Sequence, residues 1–191
     1  VSDLENYGLF PDIRGQKSRD LALSAFSQIY GSAMAHDNVS QFIGQTGIDA
    51  LKGADILRTA PGKYSSGIEY ANNPIAQSMK SIAQVLTADI GTRVFYTQHG
   101  SFDTHAAELE THTRLWTETS DAIGDFMEDM KEHNLQEDVL VLVWSEFGRR
   151  IRDNSAGTDH GSGGVAFAIG GGVNGGLYGS YPSLKESDQL E

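Results

Sequence analysis

The sequence predicts an α/β fold, with a largely parallel sheet flanked by helices. Three observations carry this reading. Helical periodicity marks three segments before Gly91 and one long segment from about Thr104 to His133. The apolar runs Val139–Trp144 and Val165–Ile169 read as strands, the first as one covered on both faces. Thr92–Gln98, rich in β-branched and aromatic residues, reads as a strand before the long helix.

In chain order, residues 1–16 hold Gly8, Pro11 and Gly15 without periodicity and read as loop. From Lys17 to about Ala35, the residues Leu21, Ala22, Ala25, Phe26, Ile29 and Tyr30 recur at helical spacing. Asp37 or Asn38 caps a second helix, with Val39, Phe42 and Ile43 on one face and an end near Gly53. Residues 58–73 read as a polar loop. Asn73-Pro74 opens a third helix with proline at its first position, and Gly91 stops it. Its stripe is Ile75, Met79, Ile82, Ala83, Leu86 and Ile90. The long helix buries Leu109, Leu115, Trp116, Ile123, Phe126, Met127 and Met130, and Asn134 ends it. The glycine-rich tail has short β-like pieces around Leu177–Tyr178.

A chain of 191 residues predicts one domain, with 1–71 mostly helix and loop and 72–191 as an α/β core. Three strands make a thin sheet for this length, so earlier strands of a larger domain are expected to be missing. The net charge of -12 argues against general nucleic-acid binding, which needs a basic surface. The absence of cysteine excludes disulfides and thiolate metal sites. No apolar run approaches the roughly 20 residues of a membrane helix. Val1 is not a start methionine, so the N-terminus reads as processed or cut. A removed export signal would make the protein exported or periplasmic. The final Leu190-Glu191 reads as a cloning scar, and nothing in the sequence sets the oligomeric state.

Two polar clusters follow two successive expected strands. One holds Asp103 and His105, with His99 and His112 nearby; the other holds Glu146, Arg149, Arg150 and Arg152, then Asp159-His160. Parallel strands would put both clusters at the same sheet edge. Carboxylate plus imidazole suits zinc, manganese or iron, whereas oxygen-rich sets favour magnesium, calcium or manganese. Each piece also has a plain structural reading. Asp103 or Thr104 caps the long helix. Glu146 pairs with Arg149. His160 is a hydrogen-bonding loop residue, and His112 is half-buried structure. His36 and His133 sit at helix ends, where a cation is favourable. The arginine run is a solvated face, with one member beside Glu146 an anion-binding candidate. "IGGGVNGG" (169–176) lacks the phosphate-loop lysine and a following helix, so nucleotide binding is rejected.

The stretches "GSFDTH" (100–105), "VWSEFGRR" (143–150), "GTDHG" (157–161) and "GGGVNGGLYG" (170–179) occur in that order. Together they resemble bacterial proteins grouped as domain of unknown function 1501, themselves similar to the alkaline phosphatase and sulfatase superfamily. The resemblance covers residues 72–182 well and the helical first third loosely. It implies an alkaline-phosphatase-like core with two divalent metals at the carboxyl edge of the sheet. Asp103, His105 and His160 would hold the first metal, zinc or manganese before calcium or magnesium. Glu146, with Ser145, would occupy the second position. The implied activity is metal-dependent hydrolysis of a small anionic phosphate or sulfate ester. Glu146 would be ligand or base, and Arg149 would bind the anion. The chain departs from the superfamily in three ways. Its Asp-to-His spacing is tighter, Ser145-Glu146 replaces an Asp-His pair, and the nucleophile strand with its Gly-Gly-x-Asp is not found. An inactive fragment is therefore expected, with a non-catalytic binding or structural descendant as the alternative.

Overall fold

The computed structural model describes Leu4, residues 16–33 and 37–180, and Ser183. Apart from Leu4 and Gln16, the expected loop 1–16 lies outside the described residues, as do His36 and Leu190-Glu191. The elements are α1 (Gln16–Ala33), α2 (Asn38–Lys63), α3 (Pro74–Thr87), α4 (Glu108–Glu132), β1 (Val141–Val143), β2 (Gly148–Asp153), β3 (Thr158–Gly161) and β4 (Phe167–Ile169). The chain divides into two compact units, one of Val1–Ser65 with Gln84–Phe95, the other of Ser66–Ala83 with Tyr96–Glu191. No described helix is long and apolar enough to cross a membrane.

In the first unit, α1 and α2 contact each other. Asp37 caps α2: Oδ1 accepts from the Val39 and Ser40 N–H groups, each at 2.9 Å, and Oδ2 from the Ser40 hydroxyl at 2.8 Å. The Ser40 hydrogen bonds hold its carboxyl below the usual range. The helix continues ten residues past the expected stop at Gly53 and ends at Lys63. An interior glycine costs only about 1 kcal/mol relative to alanine, and buried Ala60 extends the apolar face beyond it. Pro61 falls in the last turn, where its missing N–H removes one i−4 bond and the helix ends two residues later.

The second unit buries Ile75, Ala76, Met79 and Ala83 of α3, with Leu115, Thr119, Ala122, Phe126 and Met130 of α4. The α4 set recurs every three or four positions, as a helix with one buried face requires. Leu109 and Trp116 were expected on that face but are exposed. Fully buried Asp129 accepts from the Tyr70 hydroxyl at 2.7 Å, and His133 Nδ1, which donates to the Asp129 backbone carbonyl at 2.9 Å, lies 3.1 Å from the other carboxylate oxygen. A buried carboxylate without such partners would be costly. The position of His133 at the helix end thus serves these contacts.

The expected parallel sheet is not formed. The described strands make two small antiparallel sheets, β1 with β4 and β2 with β3. Thr92–Gln98 is not a strand: Val94 is 87% and Tyr96 74% exposed. A β-forming composition describes fit to a pleated, half-covered surface, and this segment has no ladder partner among the described residues. Nor is β1 covered on both faces. Leu140, Leu142 and Trp144 are exposed, whereas Val141 and Val143 are partly covered. It pairs antiparallel with β4 through Val141↔Ile169, Leu142↔Ala168 and Val143↔Phe167. An apolar run shows that a strand is present but not the direction of its neighbour. The intervening charged stretch, expected as loop, is a hairpin, and it is this hairpin that returns the chain antiparallel.

Candidate metal centre

The β2–β3 hairpin closes on an Asn154 turn. Asn154 Oδ1 accepts from Ala156 N at 3.0 Å and Gly157 N at 2.9 Å, and Ser155 N donates to Asp153. Ser155 takes the left-handed conformation that such a turn uses. Glycine is required at Gly148, where a Cβ would lie 2.6 Å from the Gly163 carbonyl and 2.7 Å from that of Gly161. The signal for this hairpin was the "DNSAG" turn (153–157), not any alternation of apolar residues.

Arg149 ties the hairpin to the loop that carries Asp103 and His105. Its Nη1 donates to the Thr104 carbonyl at 2.6 Å and to that of Thr158, and its Nη2 to the Phe102 carbonyl at 2.6 Å. Glu108, in the first turn of α4, accepts from the Thr158 N–H and hydroxyl. Burial pushes the Glu108 carboxyl up, but the Thr158 bonds, Arg149 and His112 outweigh it and hold the group below the usual range. His112 Nε2 donates to the Phe102 carbonyl at 3.1 Å and lies 2.9 Å from Thr104 Oγ1. The Phe102 ring packs against His112 and Trp116. The expected cap at Asp103 or Thr104 is not made: α4 begins at Glu108 with Ala107 as its cap residue. Asp103 is thus left to other partners.

Those partners are two imidazoles. His160 Nε2 donates to Asp103 Oδ1 at 2.7 Å, and His105 Nε2 lies 3.3 Å from the same oxygen. One ligand atom from each of the three residues lies within 4.8 Å of the other two. The His160 hydrogen bond, before the charges of the two histidines, holds the Asp103 carboxyl below its ordinary range. The His160 ring stacks on Phe147 at 4.1 Å and lies against His105 at 5.0 Å. All three side chains are open to solvent. One carboxylate and two imidazoles suit a first-row transition metal, and a single carboxylate is a poor set for calcium or magnesium.

The remaining expected residues are placed differently. Glu146 is exposed and is not one of the converging three, and the Ser145 hydroxyl accepts from Phe147 N at 3.4 Å. Arg149 is partly buried and directs its guanidinium at backbone carbonyls. Sequence reasoning gave no role to Asp159, whose Oδ1 accepts from His105 Nδ1 at 3.2 Å and Asn154 Nδ2 at 3.1 Å. It also missed Phe147 and Glu108. Only Asp159 carried a visible signal, its place beside His160.

No match was found among curated proteins or among solved structures. The family described as "Protein of unknown function (DUF1501)" matches residues 13–190. With nearly its whole length matched, the chain belongs to the DUF1501 family.

Proposed function

We propose that Asp103, His105 and His160 hold one divalent transition metal ion, zinc or manganese, in a metal-dependent hydrolase-like domain. The observation that carries this is the convergence of one carboxylate oxygen and two imidazole nitrogens within 4.8 Å. Three protein ligands leave a coordination position for water or a substrate oxygen, the pattern of catalytic rather than structural sites. A metal there would act as a Lewis acid on an anionic ester of the phosphate or sulfate class. The substrate class rests on the resemblance of the sequence motifs to those of alkaline phosphatases and sulfatases, and not on the family match.

A second reading, metal binding without catalysis, is favoured by two placements. Glu146 stands apart from the three ligands, and Arg149 is engaged by carbonyls, so neither residue assembles the expected base or anion clamp. Assay of the zinc- and manganese-loaded chain on aryl phosphates and aryl sulfates separates the two. Turnover abolished by His160→Ala establishes the hydrolase. Stoichiometric metal binding without turnover supports the second reading.

A further inference from the structure

We infer that Asp159 is a positioning residue of the metal centre, holding the His105 ring so that Nε2 faces the ion with its lone pair. The inference rests on the metal reading above and deepens it. A neutral imidazole carries one N–H and one lone pair, and a metal takes the lone pair. The opposite N–H then needs an acceptor, which sets both the tautomer and the ring plane. The two ring nitrogens of His105 face two different carboxylates. Nε2 lies 3.3 Å from Asp103 Oδ1, and Nδ1 lies 3.2 Å from Asp159 Oδ1. Asp103 belongs to the converging set and Asp159 does not. With Nδ1–H given to Asp159, the Nε2 lone pair faces an oxygen that is also an acceptor. An ion bound by both residues would sit between that lone pair and that oxygen.

Asp159 is itself held in place. Asn154 Nδ2 donates to Asp159 Oδ1 at 3.1 Å and to the His105 carbonyl at 3.3 Å, while its Oδ1 is occupied by the turn N–H groups. The hairpin turn therefore fixes Asn154, Asn154 fixes Asp159, and Asp159 fixes His105. His160 is oriented by other means, stacking on Phe147 and bonding to Asp103. The two imidazoles thus differ in what aims them, and only His105 depends on a second carboxylate.

The test uses zinc with the whole chain at a fixed, slightly alkaline pH. Competition titration gives affinity, and two-bond nitrogen–proton correlation spectra of the zinc-free chain give the His105 tautomer. Loss of such an outer carboxylate typically costs 10–100-fold in metal affinity. Asp159→Ala is expected to fall in that range with one ion still bound, and Asp159→Asn, which keeps an oxygen acceptor, to lose less. His105 should be protonated at Nδ1 in the wild type and lose that preference in Asp159→Ala. In a His105→Ala background, Asp159→Ala should have no further effect, because the two residues act as one unit. Equal affinity and an unchanged tautomer in both Asp159 variants overturn the inference while the metal reading stands. An affinity loss with an unchanged tautomer overturns it too, making Asp159 a direct ligand. Absence of zinc binding to the wild type sinks the metal reading instead, and the tautomer comparison then still decides whether Asp159 orients His105. If Asp159→Ala disturbs the fold, Asp159→Asn and its His105 spectrum carry the decision.

Discussion

The two small sheets are built from opposite materials. β1 and β4 are apolar, three residues each, and leave Leu142 and Phe167 exposed. β2 and β3 are charged and glycine-bearing, yet they carry His160 and contact the loop of Asp103 and His105. What holds the second pair is not burial of its own side chains. Arg149 and Glu108 give partners to backbone groups in a partly buried region, and Asn154 closes the exposed turn. The contrast teaches that the site is fixed by polar satisfaction, and that its geometry should be brittle toward loss of a single polar side chain.

The strongest way to break that contrast is Arg149→Ala. It removes a donor from the Phe102, Thr104 and Thr158 carbonyls; Phe102 keeps the His112 and Thr104 N–H donors, and each carbonyl left unpaired costs about 1–3 kcal/mol before relaxation. A total destabilisation of about 2–4 kcal/mol is expected by urea unfolding, with loss of metal binding. Arg149→Lys should recover little, because an ammonium cannot fork across three carbonyls. A change under about 0.5 kcal/mol would show that the clamp is not structural.

Glu108→Gln should come next, at about 1–2 kcal/mol, and its effect should depend on pH. The folded-state pKa of Glu108 is depressed, so its contribution is present above the unfolded value of about 4.3. That contribution is lost as pH falls through the folded pKa. Unfolding compared at pH 6 and pH 3 should show wild type and variant converging at the lower value. A gap that stays constant, or widens in acid, would remove the carboxylate from the account.

The smallest effect belongs to the other sheet. Leu142→Thr replaces a side chain that is 62% exposed with a strand-compatible one, so stability should stay within about 0.5 kcal/mol of wild type. A loss above about 1.5 kcal/mol would mean that β1 is covered in solution, and the two sheets would no longer differ as described.

The same contrast explains what the sequence disclosed. Proline at the first position and an apolar stripe marked α3, and the Phe126–Met130 face marked α4. The residues of β1 and β4 were visible as apolar runs. Their antiparallel pairing was not, because it depends on the hairpin between them, whose residues follow no apolar alternation. Asp103, His105 and His160 stood out by residue type, and the structure brings them together. Arg149 stood out as well, but its neighbours in sequence suggested an anion where its neighbours in space are carbonyls. Two of the three carbonyls its guanidinium meets, those of Phe102 and Thr104, lie forty or more positions away. The same holds for Asp159, whose partner His105 lies 54 positions earlier.

Calorimetric titration of the chain with zinc at neutral pH, beside the His105→Ala/His160→Ala double variant, decides whether these residues bind the ion. One equivalent should bind to the wild type, displacing the His160 Nε2 proton now shared with Asp103 to the solvent or to Nδ1. The double variant should bind none at the same concentrations, because a single carboxylate remains of the three ligands. Failure of the wild type to bind zinc, two tight equivalents, or one equivalent retained by the double variant would contradict the assignment.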